Sequence, residues 1–215
     1  MKIENTEVFG FCSALRAMRN PMDSWSKSDT GWQARFYWEW PDIICTDAPK
    51  DIGPEDLKLA KKLIAAGSEH RKFLRLIQVW ATWILPRYVW TEADTYKVGM
   101  TRMSCSTMHK LGHKDLTLED FEGGYVLPET LETLNDFGKK YRETKAYDYV
   151  RLMKNILPEG FLQRADVNFN YETAVNMFYQ RKYHRLPEWC LDPGEKKVSI
   201  CNWLYRLPHF KELVE

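Results

Sequence analysis

The chain has 215 residues, of which 44% are hydrophobic and 28% charged, the balance of an ordinary globular protein long enough to bury a sizeable core. A formal net charge of +1 excludes bulk electrostatic attraction to long nucleic acid, although local basic clusters can still hold a phosphate or two. No apolar run approaches the roughly 18–20 residues of a membrane span, and Met1 to Asn5 lacks an apolar signal core, so a cytoplasmic location away from membranes is expected.

Five cysteines, at 12, 45, 105, 190 and 201, form no CxxC pair. An odd count in a reducing compartment argues against disulfides, and without a CxxC pair no zinc site, and so no metal, is expected. Nine Trp, eleven Tyr and ten Phe serve mostly as core and interface residues, and some can form stacking walls for flat ligands.

In chain order, Phe11, Leu15 and Met18 recur at helical spacing within a first helix over Phe9–Arg19, which Asn20-Pro21 ends. Residues 21–53 are mixed. Asp23, Ser24, Ser26, Ser28, Asp29 and Gly31 are loop-like, and Phe36 to Trp40 reads either as a short strand or as a binding loop. Pro54 begins a helix with Asp51 or Gly53 near its cap, an apolar stripe of Leu57, Ala60, Leu63 and Ile64, and Gly67 closing it. Alternation and β-branching over 72–80 predict a buried strand. Pro86 starts a further helix ending near Tyr96.

Gly99 to Met108 reads as a hydroxyl-rich loop, and Pro128 to Asn155 as one or two helices. Pro158 opens a turn. Asn170 caps a helix carrying Ala174, Val175, Phe178 and Tyr179, which Leu186-Pro187 ends. Asp192-Pro193-Gly194 forms a turn, and Ser199 to Leu207 a last helix. The sum is a helix-rich α+β fold, a single domain over 1–215 with a modest antiparallel or mixed sheet.

Two regions carry residues of chemical interest. In the first, Ser104, Ser106 and Thr107 gather hydroxyls beside Arg102 and Lys110, which suits a phosphate, while the plainer reading is a solvated loop with capping serines. In the second, Asn170 reads as a cap. Asn176 and Arg181 fall about 140° apart on an ideal helix, so spacing alone gathers no site there. His70 reads as a cofactor ligand, a general acid or base, or a satisfied histidine at a strand start. Cys105 has no evident base to make it a nucleophile.

Together the two regions resemble the flavin-dependent thymidylate synthase family, in order and nearly in spacing, over roughly residues 54–189. Glu69-His70 matches a Glu-His pair that precedes a strand. Arg87 matches the arginine opening the segment that leads into the signature Arg-His-Arg-x-x-Ser-x-Asn-Glu-x-Ser-x-Arg-Tyr. Ser106 matches the serine near its end. Leu157-Pro158, Asn170, Asn176 and Arg181 match a later Leu-Pro, two asparagines and an arginine, and Lys154 stands in place of a nucleotide-contacting arginine.

The resemblance implies FAD contacts at His70, Asn170 and Asn176. It implies a pyrimidine deoxynucleotide such as dUMP at Arg87, Ser104, Ser106, Thr107, Lys154 and Arg181. Arg181 is then the catalytic residue that withdraws electron density from the ring. Reduced nicotinamide and methylene folate follow as cosubstrates, reductive one-carbon transfer as the reaction, and a homotetramer with shared sites as the assembly. The chain departs from the signature: Thr91-Glu92-Ala93 replaces Arg-His-Arg, Met103-Ser104 replaces Asn-Glu, and Met108-His109 replaces Arg-Tyr. Each lost charge-assisted contact is worth about 1.5–3 kcal/mol. Arg75, Arg102, Lys97 or Lys110 could restore the charge. The departures leave open an alternative, a non-catalytic nucleotide-sequestering protein of phage or mobile-element type on the same scaffold.

Overall fold

A computed structural model of the chain describes residues 1–31, 43–192, 194 and 198–215. The expected element at Phe36 to Trp40 lies outside the described residues, as does Pro193 of the expected turn.

The described strands are β1 (Lys2–Phe9), β2 (Ile43–Cys45), β3 (Gln78–Pro86), β4 (Met100–Ser104) and β5 (Leu162–Asn170). They form a sheet in the order β2-β1-β3-β5-β4. β1 and β2 run parallel, with Thr6 opposite Ile43 and Val8 opposite Cys45. The described helices are α1 (Phe11–Ala17), α2 (Pro54–Ala65), α3 (Arg87–Ala93), α4 (Thr107–Lys110), α5 (Pro128–Thr144), α6 (Tyr147–Ile156), α7 (Tyr171–Arg181), α8 (Ile200–Arg206) and α9 (Phe210–Val214). The fold is α+β and helix-rich, as the sequence implied.

Several elements form where the local signals put them. Pro86 sits just before α3, where its fixed φ and missing N–H cost nothing. Asn170 caps α7, its side chain accepting the Thr173 N–H at 3.0 Å. The 128–155 stretch divides into α5 and α6, which pack on each other. Phe161 N–H closes the Pro158 turn at 3.0 Å.

Other expectations are corrected. Residues 71–76 form a 3₁₀ segment rather than the start of a strand, and the strand begins at Gln78. The burial shows why: consecutive Phe73 and Leu74 are buried while consecutive Arg75 and Leu76 are exposed, which a strand of period two cannot do. The hydroxyl-rich loop at 99–108 is β4 followed by α4. The helix around Phe9–Arg19 is shorter, because β1 claims the residues through Phe9. α7 ends at Arg181, before Leu186-Pro187. α8 is followed by α9, which the sequence reading missed. At the start of α2, Gly53 holds the N-cap position as expected, and the carboxylate of Asp29 accepts the N–H groups of Glu55 and Asp56, at 2.9 and 3.1 Å.

The described residues divide into two compact units. One comprises Met1–Lys2, Trp83–Thr95 and Met103–Asp166; the other comprises Ile3–Thr82, Tyr96–Arg102 and Val167–Glu215.

The core of the first unit joins Leu111, Leu116, Phe121, Leu134, Met153 and Leu157. Each such side chain contributes about 1.5–3 kcal/mol when removed from water. Buried Trp83 and Trp90 lie 5.8 Å apart, and the Trp90 indole N–H reaches the Gln163 carbonyl at 2.8 Å.

The second unit is built around aromatic edge-to-face pairs. Tyr171 meets Phe11 at 5.4 Å and Phe210 at 5.6 Å, and its buried hydroxyl donates to the Pro208 carbonyl at 2.7 Å. A buried polar hub ties the 19–30 segment to α2. The fully buried Asp56 carboxylate accepts from Arg19, Ser28 and Thr30 at 2.6–2.8 Å. Burial pushes its pKa up, but the hydrogen bonds from Thr30, Ser28 and Arg19, with the Arg19 charge, outweigh that and hold it below the ordinary value.

Candidate functional site

The expected nucleotide residues Arg87, Ser104, Ser106, Thr107 and Lys154 fall in the first unit, and His70, Asn170, Asn176 and Arg181 in the second.

In the first unit, β4 ends at exposed Ser104, Ser106 occupies the N-cap position of α4 without a side-chain capping bond, and Thr107 is its first residue. This start of α4 is clamped to β5: the Cys105 N–H donates to the Arg164 carbonyl at 2.9 Å, and the Gln163 amide donates to the Cys105 carbonyl at 3.0 Å. The clamp opens onto a cavity of about 550 Å³, a volume that suits a small ligand. Ser106 and Thr107 line it, with Lys2, Lys110, Lys114 and Arg164 as cations, Glu119 and Asp120 as carboxylates, and Leu111 and Phe161 as apolar surface.

Lys154 reaches the other side of α4, its ammonium 2.9 Å from the Met108 sulfur. Arg87 lies at the start of α3, where its guanidinium pairs with Glu159 at 3.3 Å and donates to the Leu157 carbonyl at 3.3 Å. It braces the Leu157–Phe161 turn. Ser106 and Thr107 therefore share one cavity, Lys154 stands beside their helix, and Arg87 and Ser104 do not line that cavity.

In the second unit, Arg181 ends α7. Its Nε donates to the Tyr96 hydroxyl at 3.1 Å, and one terminal nitrogen lies 3.0 Å from His184 Nε2. The guanidinium sits 5.9 Å from the Tyr96 ring centre and 5.2 Å from that of Trp189. The Tyr96 hydroxyl in turn donates to Gln180 at 2.9 Å. The result is a cation of fixed direction held among aromatic faces.

Asn176 accepts from Arg71 at 2.8 Å. Arg71 lies 3.5 Å from Glu172, which also pairs with Arg75. The Glu172 carboxylate bonds to Arg75 and raises the pKa of its guanidinium. Arg75 is thus committed to Glu172 and is a poor replacement for the missing signature arginines. His70 is exposed and lines an apolar cavity of about 650 Å³ with Met18, Met22, Phe73 and Leu76. The Asn170 Oδ1 is committed to the α7 cap.

Sequence reasoning missed Arg164, Arg71 and the companions of Arg181. Arg164 had a usable signal: Ala165, Val167 and Phe169 alternate with Arg164, Asp166 and Asn168, a half-buried strand pattern. Tyr96 meets Arg181 only through the fold, whereas His184 meets it in the turn that directly follows α7.

The arrangement is that of a helix-rich α+β protein on a five-stranded sheet, with a cationic, hydroxyl-bearing cavity in one unit and a caged arginine in the other. No protein-family model matches the chain, and no curated protein sequence matches it. Solved structures do. Thymidylate synthase X from Helicobacter pylori, with FAD and dUMP, is similar over 100% of this chain and 97% of that one, at TM-score 0.66 and 13% identity. A second structure, the flavin-dependent thymidylate synthase of Helicobacter pylori complexed with FAD and dUMP, covers the same shares at TM-score 0.65 and 14% identity. The chain has the fold of the flavin-dependent thymidylate synthases.

Proposed function

We propose that the whole chain, 1–215, acts as one domain that binds a pyrimidine deoxynucleotide of the dUMP type together with FAD, and transfers a reduced one-carbon unit to the base. The observation that carries this reading is the likeness in fold, over the full chain, to a thymidylate synthase solved with those two ligands. Reduced nicotinamide and methylene folate are the proposed cosubstrates, and a cytoplasmic homotetramer the proposed assembly. Among the described residues no helix is long and apolar enough to cross a membrane.

The flavin residues fit their proposed role unevenly. His70 on its apolar cavity suits a flat ring system, and the Arg71–Asn176 pair brings a cation beside the amide. Asn170 fits less well, since its Oδ1 already caps a helix. When bound, FAD supplies the redox chemistry. The chain's own residues bind and orient. Ser106 and Thr107 hold the phosphate in the cavity they share, with Lys154, Ser104 and Arg87 supporting the same region. Arg181, restrained by Tyr96 and Trp189, presents positive charge to the pyrimidine ring and draws electron density from it.

One observation favours the non-catalytic, sequestering alternative. Ala93, which stands in the region of the missing Arg-His-Arg, is fully buried at 0% exposure, so an arginine has no room at that position of α3. Visible absorption and flavin fluorescence separate the two readings. A yellow protein, or one that quenches added FAD, is expected of the enzyme. A colourless protein indifferent to FAD but thermally stabilised by dUMP identifies the sequestering form. No stabilisation by any pyrimidine nucleotide overturns both.

A further inference from the structure

We propose, independently of the nucleotide reading above, that Cys12 is a modification site that forms a mixed disulfide with a small carboxylate-bearing thiol, steered by the guanidinium of Arg16. Cys12, Arg16, Arg19, Trp25 and Ser28 line one cavity of about 250 Å³ within the second unit. α1 buries Phe11, Ala14 and Leu15, which leaves Cys12 and Arg16, one turn apart, exposed on its other face. Trp25 forms a wall: its indole N–H donates to Asn20 at 2.8 Å, and the Arg16 guanidinium lies 5.7 Å from its ring centre. The thiol therefore opens onto a small cavity with a flat apolar side and a cation held near it.

The charge at this cavity is not balanced. Arg19, only 5% exposed, meets Asp56 through Nε at 2.8 Å and Nη2 at 2.6 Å, and the Ser28 hydroxyl donates to the same carboxylate. Asp56 thus offsets the charge of Arg19, yet Nη2 makes no well-aligned hydrogen bond, so a buried donor is left on the cavity wall. Arg16 has no carboxylate partner among the described residues, and its charge remains to attract an anion. The reaction is thiol–disulfide exchange with the disulfide of such a thiol. Cys12 loses its proton to solvent, its sulfur attacks one sulfur of the reagent, the old S–S bond breaks as the new one forms, and the departing thiolate takes up a proton. The carboxylate of the half that stays on Cys12 meets Arg16, and the cavity volume restricts that half to a small thiol.

Three disulfides of similar size test this on the full chain: dithiodipropionate, which is anionic, hydroxyethyl disulfide, which is neutral, and cystamine, which is cationic. Peptide mass spectrometry reads the rate at Cys12 for each, with the urea-unfolded chain as the reference for intrinsic reactivity. Relative to that reference, folded wild type is expected to favour the anionic reagent over the cationic one by about threefold or more at low ionic strength. About 1 M salt should erase the preference. Arg16→Gln is expected to lose it and Arg16→Lys to keep it; the position is exposed, and unchanged thermal unfolding verifies that both variants fold. A folded wild type with no preference beyond that of the unfolded chain overturns the proposal, as does an Arg16→Gln variant that retains the wild-type preference. A Cys12 that N-ethylmaleimide labels but that none of the three disulfides modifies overturns it as well.

Discussion

The guanidinium carbon of Arg181 lies 5.2 Å from the centre of the Trp189 ring, and that ring is fully buried. A buried indole is a fixed platform, and a cation over its face gains about 0.5–2 kcal/mol. Arg181 is thereby oriented before any ligand arrives, which lowers the entropy lost when it engages one. The Tyr96 hydroxyl adds a hydrogen-bond acceptor at Nε.

Tyr96→Phe keeps the ring beside Arg181 and removes the hydroxyl that accepts from Arg181 and donates to Gln180. Nucleotide affinity is expected to fall by about 0.5–1.5 kcal/mol, with little change in melting temperature. Calorimetry beside a thermal scan measures both. A variant that binds as wild type does shows that Tyr96 plays no part in orienting Arg181.

Asp56 governs stability rather than binding. Replacing it with Ala strands Arg19, which is 5% exposed, and is expected to cost about 3–5 kcal/mol in urea unfolding. Replacing Arg19 and Asp56 together by apolar residues should cost less than the single change. The pH dependence follows from the lowered pKa. Below its unfolded pKa of about 3.9 the unfolded state binds a proton that the folded state still lacks, so this stabilisation is full above about pH 4 and is lost as pH falls through the lower folded value. A wild-type acid transition indistinguishable from that of Asp56→Asn would contradict this account.

The cysteines should separate by burial. Burial pushes Cys45 up to about 11 and Cys201 up to about 12, so both stay protonated and shielded at pH 8. Cys12 and Cys105 are exposed. Brief treatment with N-ethylmaleimide, read by peptide mass spectrometry, should modify Cys12 and Cys105 and spare Cys45 and Cys201 until the protein unfolds. Because Cys105 lines the first unit's cavity, dUMP should slow its labelling and leave Cys12 unaffected. Equal protection of both cysteines would place the ligand elsewhere.

Gly10 and Gly67 form a matched pair. Both have positive φ, +113° and +100°, but a Cβ on Gly10 would lie 2.0 Å from the Leu76 carbonyl oxygen, whereas one on Gly67 meets nothing within 4 Å. Gly67→Ala should lose only the strain of that backbone conformation, about 1–2 kcal/mol. Gly10→Ala should lose substantially more, because the backbone at Leu76 must move. Chemical denaturation of the two variants side by side measures the difference, and equal losses would show that the close approach is relieved cheaply.

Local signals were most legible where one residue fixes the backbone by itself. Pro54 and Pro86 start helices, Asn170 caps α7, and Gly67 ends the turn after α2. These effects act within one helical turn and need no distant partner. Phe73 and Leu74 show the limit: a run of apolar and basic residues looks like a strand until packing decides that two consecutive side chains turn inward. β5 was legible in its alternation and was overlooked between a turn and a cap.

The sequence by itself determined the fold class, the helix starts at Pro54, Pro86 and Asn170, and the order of residues that resembles the thymidylate synthase signature, because these depend on spacing and on the chemistry of single residues. Only the tertiary structure decided that Asp29 caps a helix 25 residues away, that Glu172 occupies Arg75, and that Arg164 and Lys110 line the cavity of Ser106. Such partners are far apart along the chain, and folding brings them together by burying side chains that carry no mark of which neighbour they will meet.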